Sequence, residues 1–284
     1  MVDRAAQYRE SVLRTYRYLR VGMIALVLLL GAAVTIESIR SGELQDSISA
    51  YYYTPAHAVF VAALCAVGAC LVIYRGHTDP EDVILNGSGF FAFVVAFVPT
   101  TQDTPECDPG QSFCTVPDST IVANVLALLI VGGLGLIFSY FSLRPASAPG
   151  GGGSGRRAYA VVAVAYLVLL AAFIGWRSVF LEYGHYGAAI LLLAGMVFVV
   201  VLNGLELNRR NTQTGGAHTA LRRWYWGSFV FILVAAAFFG AAGAWIEHWL
   251  FLLETSVIVG FAVFWLTQTF GDVWNEPVHA PPAG

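Results

Sequence analysis

Eight long apolar segments dominate this sequence, and each is close to the length that an α-helix needs to cross a lipid bilayer. A membrane-spanning helix takes roughly 17–25 mostly apolar residues. Such a segment must be helical, because lipid offers its backbone groups no hydrogen-bonding partners. The sequence therefore predicts an all-α polytopic membrane helix bundle with eight transmembrane helices, at residues 21–38, 56–74, 83–100, 120–142, 158–176, 186–205, 225–245 and 249–270.

The composition excludes several other classes of protein. Of the 284 residues, 57% are hydrophobic and only 12% are charged, whereas about 25% of a soluble domain is charged. This excludes a soluble domain, a disordered chain and a nucleic-acid-binding protein. The chain has no lysine, which excludes a retinal or pyridoxal phosphate held as a lysine Schiff base. We therefore expect no cofactor.

The arginines predict how the bundle is oriented. Short cytoplasmic loops of membrane proteins carry an excess of basic residues. All 15 basic residues are arginine, and in an eight-helix arrangement thirteen of them fall on one side and only Arg40 and Arg177 on the other. Both termini are therefore predicted to be cytoplasmic. Frequent alanine, valine, glycine and arginine indicate a bacterial genome, so the predicted location is the bacterial inner (plasma) membrane, with membrane lipids as partners.

The distribution of glycine and charge predicts five parts of the chain. Residues 1–20 are a basic juxtamembrane segment, either a helix lying on the anionic inner leaflet or an ordinary basic flank. Residues 145–157 are a Gly-rich cytoplasmic linker. This linker separates a first four-helix half, 21–144, from a second, 158–271, and 272–284 form a cytoplasmic tail.

The two halves share details that are compatible with a 4+4 parallel repeat. His57 opens the second apolar segment and His185 the sixth, and a glycine follows each at similar spacing. An even number of helices in each half would relate the repeats by an axis along the membrane normal. The alternative is two unrelated four-helix stretches joined by a linker.

The third apolar segment is the least regular. Asn86, Gly87, Ser88 and Gly89 interrupt it, which hints at the broken helices found in transporters. Asp79 before Pro80 is typical of a helix start.

The four cysteines fall into two pairs with different expected roles. Cys107 and Cys114 lie in a short loop that is predicted to be outside, where a disulfide is expected. A metal site is the alternative for these two thiols. Cys65 and Cys70 lie within one apolar segment and are expected to be small packing residues.

Ionisable groups near or within the apolar segments are the candidate functional residues, because such groups are costly in lipid. Glu254 lies more than one turn inside the last segment, on one stripe with Glu247 and Gln268. A ligand or ion site is predicted from the acidic and histidine side chains of the outer half, namely Glu37, His57, Glu182, His185, Glu247, His248 and Glu254. Such a set can bind a divalent cation or relay protons, with His57, His185 and His248 as the alternative metal ligands. Ordinary interfacial positions are the other explanation.

Two family comparisons can be made from short stretches. The stretch from Ser47 to Tyr74, with FVPT at 97–100, resembles uncharacterised bacterial multi-helix inner-membrane proteins, which implies no activity. A second comparison is with hydrolases of the alkaline ceramidase and adiponectin-receptor type, which have a serine four residues before a helix histidine and a late HxxxH pair. Here Tyr53 precedes His57 by four residues, and the last segment has Glu247 and His248 instead.

Three functions remain open at this point. The first is binding or transport of a small ligand, lipid or ion through a polar site near Glu254. The second is an outward-facing, metal-dependent membrane hydrolase. The third is a non-catalytic membrane scaffold. The oligomeric state is not predicted.

Overall fold

The computed structural model describes residues 4–76, 78–100, 117–142, 154–213 and 219–273. These residues contain eight α-helices and no strand, which confirms the all-α prediction. The helices are α1 (Arg4–Ser41), α2 (His57–Ile73), α3 (Asp79–Phe97), α4 (Asp118–Ser142), α5 (Ser154–Gly175), α6 (Arg177–Gln213), α7 (Thr219–Ala242) and α8 (Trp249–Gln268). A 3-10 helix (Ser49–Tyr53) precedes α2, and a π-helical turn (Thr269–Val273) follows α8.

Six of these helices are long and apolar enough to cross a membrane, which is the pattern of a multi-pass membrane protein. The other two, α2 and the apolar part of α5 over Tyr159–Gly175, have 17 residues each at the lower limit for a span. Large apolar side chains on the outer faces are exposed, for example Phe138 at 74% and Ile190 at 66%. Exposed apolar surface of this extent suits contact with lipid.

Every predicted apolar segment lies on one α-helix, but several helix ends differ from the prediction. Helix α1 is continuous from Arg4 to Ser41, so the basic segment before residue 20 is the same helix as the first span. Glu10 and Arg14, four residues apart on α1, form an ion pair of 2.6 Å, which supports this extension. Helix α5 begins at Ser154, within the predicted linker.

Helix α3 begins at Asp79, as predicted, and continues without interruption to Phe97. Thr78 caps it, since its side chain accepts a hydrogen bond from the backbone N–H of Glu81. The hint of a broken third helix is therefore wrong. Gly89 serves close packing instead, since a Cβ there would lie 2.6 Å from the Gly68 carbonyl oxygen of α2. Small residues of this kind allow helix backbones to approach closely.

The chain forms two compact units. The central unit is Leu30–Val199, which contains the end of α1, α2 to α5 and the first part of α6. The terminal unit is Met1–Leu29 with Val200–Gly284, which contains most of α1, the end of α6, α7 and α8. These boundaries differ from those of the predicted halves, and the predicted duplication stays a prediction.

In the terminal unit, α7 and α8 form a closely packed helical hairpin. Gly260 of α8 allows this approach, because a Cβ there would lie 2.5 Å from Cγ1 of Ile232. Tyr225 and Phe264 pack edge to face with ring centroids 4.9 Å apart. The connection covers residues 243–248 and is longer than the three residues that the apolar pattern suggests. Gly243 in this turn lies against the Trp249 indole.

Candidate functional site

The central unit contains a cavity of about 580 Å³ among its helices. Volumes of roughly 300–1,000 Å³ are typical of small-molecule sites. The wall is mostly apolar and aromatic, and α3 contributes Phe90, Phe91 and Phe93 to it. Val131 of α4 and Val161 of α5 also line the cavity and are 66% and 61% exposed. The cavity is therefore partly open to the apolar surface of the unit.

Close helix packing shapes two sides of this cavity. Gly195 of α6 lies directly against the side chain of Ser88, and no larger residue fits there without displacing that side chain. Gly132 of α4 leaves room for the ring of Tyr166. The Tyr166 hydroxyl donates a hydrogen bond to the Leu129 carbonyl over 2.6 Å and is thereby occupied. The aromatic wall is thus held in place by its own helices.

Two polar groups of the cavity wall lack partners within the described part of the chain. The Ser88 side chain is buried, at 2% exposure, and its Oγ makes no hydrogen bond there. The Oδ1 atom of Asn86 is also buried and unbonded among those residues. Leaving a buried polar group unpaired costs about 1–3 kcal/mol. Both atoms are almost inaccessible, and the Ser88 Oγ lies against Gly195 of α6, so they are buried in helix packing behind the cavity surface.

Sequence reasoning did not identify these two residues as functional. Asn86 and Ser88 drew attention as interruptions of an apolar helix. The useful signal was the presence of hydrogen-bonding side chains in the middle of a span, which applies to Ser88 as much as to Glu254.

A separate cluster of polar side chains in the central unit surrounds residues Val98–Thr100, which follow α3. His185 is buried, and its Nδ1 lies 2.6 Å from the Val98 carbonyl oxygen. The Val95 carbonyl also lies near the ring, but the Nε2 atom makes no hydrogen bond within the described residues. Since a carbonyl only accepts, Nδ1 carries the proton in the neutral ring and Nε2 has a free lone pair.

Tyrosine hydroxyls connect the same backbone segment to its neighbours. Tyr53 donates a hydrogen bond to the Thr100 carbonyl over 2.6 Å. The Thr100 hydroxyl lies 3.0 Å from the hydroxyl of Tyr186. Burial raises the pKa of Tyr53 to about 12, and the neighbouring Tyr52 and Tyr186 contribute to this shift. Burial likewise raises the pKa of Tyr52. Both hydroxyls therefore stay protonated over the physiological range.

His57 belongs to this region through Tyr52. Its Nδ1 lies 2.6 Å from the Tyr52 carbonyl oxygen, and its ring packs edge to face against the Tyr52 ring at 4.3 Å. The tyrosine run is partly buried, since Tyr51 and Tyr52 are inaccessible to solvent or nearly so. The Tyr51 hydroxyl is hydrogen-bonded to Ser38 of α1. These contacts hold the 3-10 helix against α1 and α2 within the central unit.

The two predicted acidic site residues of the central unit, Glu37 and Glu182, differ in burial. Glu37 is buried and forms two hydrogen bonds with Arg40, at 2.6 and 2.9 Å. This pair neutralises the carboxylate within one turn of α1. Glu182 is exposed on α6. Neither position offers an unpaired carboxylate within a closed site.

In the terminal unit, Glu254 is the buried acid that the sequence singles out, at 9% exposure. It lies on the buried face of α8 together with Phe261, Phe264 and Gln268. Glu247 is exposed, and His248 occupies the position before α8 without a side-chain capping bond. The stripe predicted from Glu254 to Gln268 is thus confirmed as the packed face of the helix, whereas Glu247 lies before the helix begins.

No group of three or more His, Cys, Asp or Glu side chains in the described ranges is placed to hold a metal ion. The hydrolase alternative with His57, His185 and His248 as ligands therefore gains no support from those ranges. Cys107 and Cys114 lie outside the described residues, so their disulfide stays a prediction. Cys65 and Cys70 are free thiols on α2.

The terminal unit also contains a buried polar network that sequence reasoning missed. Arg20 of α1 is fully buried, at 0% exposure, although its position suggests a topology-setting flank residue. Its Nη2 donates to Oε1 of Gln268 over 2.6 Å, and its Nε donates to Oγ1 of Thr269 over 2.9 Å. The guanidinium also lies 4.4 Å from the ring centroid of Trp265, which is a cation–π distance.

Gln268 extends this network to α6. Its Nε2 donates to Oδ1 of Asn203 over 2.7 Å, and both side chains are buried. The network thereby joins three helices that are far apart in sequence. In the sequence, Gln268 stands out only as part of the Glu254 stripe, and Asn203 does not stand out. Only tertiary packing shows that the two side chains contact each other.

No family model, curated protein or solved structure matches this chain, so the function is argued from the geometry described above.

Proposed function

We propose that this chain is a binding protein of the membrane, which takes up a small apolar molecule or lipid in the cavity of the central unit. The observation that carries this proposal is the cavity itself, about 580 Å³ in volume, apolar in lining and partly open to the surface of the unit. Binding sites for small molecules are usually preformed, mostly apolar clefts with a few polar groups. Asn86, Ser88 and Tyr166 are the polar residues among the described residues of the lining.

The test fills the cavity without disturbing the helices. Gly135 of α4 lines the cavity, and a Cβ there meets no atom within 4 Å. The variant Gly135→Leu should remove co-purifying lipid or apolar ligand, counted by mass spectrometry of solvent extracts. The control is Gly227→Leu on α7, which also has open space and lies outside this cavity. Equal amounts of extracted ligand from both variants would contradict the proposal.

A second candidate function is ion or proton movement at Glu254 of the terminal unit. Its support is the burial of an ionisable side chain within a span, which usually serves a purpose. Glu254→Gln keeps the shape and removes the charge. We expect this variant to fold normally and to lose proton-linked ion flux in proteoliposomes. Flux equal to that of the wild type would remove Glu254 from any mechanism.

The proposal includes an arrangement in the bacterial inner membrane with eight spans and cytoplasmic termini. Its support is the distribution of arginines and the near-spanning length of α2 and α5. Single cysteines at Glu43 and Gln213 in a cysteine-free variant test it with a membrane-impermeant thiol reagent. The cysteine at Glu43 should react in intact cells and that at Gln213 only after lysis. The reverse pattern would invert the topology, and equal reactivity would change the number of spans.

A further inference from the structure

The cavity of the central unit is elongated along its helices. Its lining residues fall within 83–93 of α3, 128–136 of α4 and 161–169 of α5. At the rise of an α-helix, each of these stretches is roughly 12–15 Å long. One leaflet contributes half of a hydrocarbon layer about 30 Å thick, which is roughly 15 Å. The cavity therefore has about the length of the hydrocarbon part of a single leaflet.

One end of this cavity lies next to charged residues. Val83, the first residue of α3 that lines it, directly follows Asp82. The Asp82 carboxylate lies 3.9 Å from Nε of Arg75, whose side chain is 88% exposed. Exposed charged groups that flank an apolar helix lie at the membrane surface. From this surface, the lining of α3 continues roughly 15 Å to Phe93, towards the bilayer midplane.

The interior of the cavity accepts hydrocarbon and excludes a charged headgroup. No aspartate, glutamate, arginine or histidine side chain is among the described residues that line it. An ionised group there would lose its hydration without gaining a counter-charge. The Ser88 Oγ and Asn86 Oδ1 atoms are buried in helix packing, and the Tyr166 hydroxyl is bonded to the Leu129 carbonyl.

Among hydrocarbons, acyl chains have the advantage of concentration. Lipid tails are as apolar as the cavity walls, so no hydrophobic driving force draws a small apolar molecule from the bilayer into the cavity. Occupancy then follows concentration and packing, and acyl chains are the main hydrocarbon of a membrane. The lining residues Val131, Val161 and Leu191 are at least half exposed. A chain can therefore enter sideways from the lipid while its headgroup stays in water.

We infer that the cavity holds one acyl chain of a phospholipid from the leaflet on the Asp82 side, with the headgroup left at the membrane surface. In the proposed orientation this is the cytoplasmic leaflet. The inference rests on the proposed binding function and deepens it by naming the ligand class and the leaflet. The chain packs against Phe90 and Phe91 of α3, and its end lies near Phe93.

The experiment counts molecules bound to the delipidated full chain by native mass spectrometry, in a steroid-based detergent that has no alkyl tail. The probes are dipalmitoylphosphatidylglycerol, its short-chain dihexanoyl counterpart with the same headgroup, and hexadecane. We expect one dipalmitoyl lipid to be retained, hexadecane to displace it, and the dihexanoyl lipid to leave it in place. Gly135→Leu should weaken this retention by roughly 5- to 150-fold, because the added side chain takes the volume of the acyl chain. Gly227→Leu should leave it unchanged.

A second measurement tests the direction of the chain in proteoliposomes. A photoreactive group at the end of the acyl chain should label Phe93, and one beside the ester should label Val83. The reverse pattern would overturn the assigned leaflet.

The outcomes separate this inference from the function on which it rests. Displacement by the dihexanoyl lipid would show that the headgroup is bound, and would overturn the inference. Binding of hexadecane without the dipalmitoyl lipid, if Gly135→Leu abolishes it, would overturn the inference but leave an apolar binding site. If neither binds, or if Gly135→Leu has no effect on binding, the binding function itself is wrong.

Discussion

The Nη2 atom of Arg20 lies 2.6 Å from the Oε1 atom of Gln268, and 248 residues of sequence separate the two side chains. This contact ties the first helix of the chain to the last within the terminal unit. Burying a cation is costly unless it is well hydrogen-bonded. The contact therefore identifies Arg20 as a structural residue, and not only a charge that sets topology.

Arg20→Ala should lower the free energy of unfolding by about 2–4 kcal/mol, because Gln268 and Thr269 lose a charged donor in a buried site. Arg20→Lys should also destabilise the protein, since an ammonium cannot donate in the two directions that a guanidinium does. Thermal or denaturant unfolding in detergent measures both. Arg14→Ala on the same helix is the control, because Arg14 is 69% exposed and pairs only with Glu10 in the described chain; it should change stability by less than about 0.5 kcal/mol. Similar losses for the two alanine variants would contradict the assigned role of Arg20.

Asn203 and Gln268 should show energetic coupling. Their side chains are joined by a buried hydrogen bond of 2.7 Å, so the double variant Asn203→Ala with Gln268→Ala should lose less stability than the sum of the single variants. A coupling of about 0.5–1.5 kcal/mol is expected for one such bond. The measurement is a double-mutant cycle by denaturant unfolding. Strict additivity would mean that the two residues act independently.

Gly89 and Gly87 should respond in opposite ways to the same substitution. A Cβ on Gly89 would lie 2.6 Å from the Gly68 carbonyl oxygen, whereas one on Gly87 meets open space. Gly89→Ala should therefore cost about 1–3 kcal/mol by forcing α2 and α3 apart. Gly87→Ala should be neutral or should stabilise α3 by up to about 1 kcal/mol, since alanine favours helix. Unfolding temperatures of the two variants decide this, and equal changes would rule out the proposed backbone contact.

Tyr53 should make the protein sensitive to strong alkali. Its pKa in the folded protein is about 12, above the ordinary value of 10.0, so the folded state binds the proton more tightly than the unfolded state. This stabilisation is complete below about pH 10 and is lost as the pH rises from about 10 to about 12. Tyr53→Phe should flatten the fall of stability in this window, and the tyrosinate absorbance difference between the two proteins should report a transition near pH 12. A transition near pH 10 in this absorbance difference would show that burial does not raise the pKa of Tyr53.

The sequence was sufficient to locate the eight α-helices of the described residues, because each predicted apolar run falls on one of them. The helix ends were harder to predict. Helices α1 and α6 extend into polar sequence, where pairs such as Glu10 with Arg14 and Glu206 with Arg210 support the helix from its own surface. A hydropathy profile does not detect such ion pairs.

The candidate site was less predictable for a different reason. A cavity depends on which helices stand beside each other, and a single sequence does not specify this. From the sequence alone, Ser88 is therefore only an irregularity of an apolar segment. Arg20 is one of several arginines that precede the first apolar segment. Glu254 was recognised because burial of a carboxylate is implied by its position alone, and its burial is confirmed.

The length of α1 has a consequence for the cytoplasmic surface that we propose. Its 38 residues correspond to roughly 57 Å of helix, whereas the hydrocarbon layer is about 30 Å thick. Tilting cannot absorb such an excess at ordinary angles. In the proposed orientation, the first turns of α1 therefore project from the bilayer as a rigid stalk. A domain fused to the N-terminus would be held at a fixed distance from the lipid, with the first turns of α1 as the spacer.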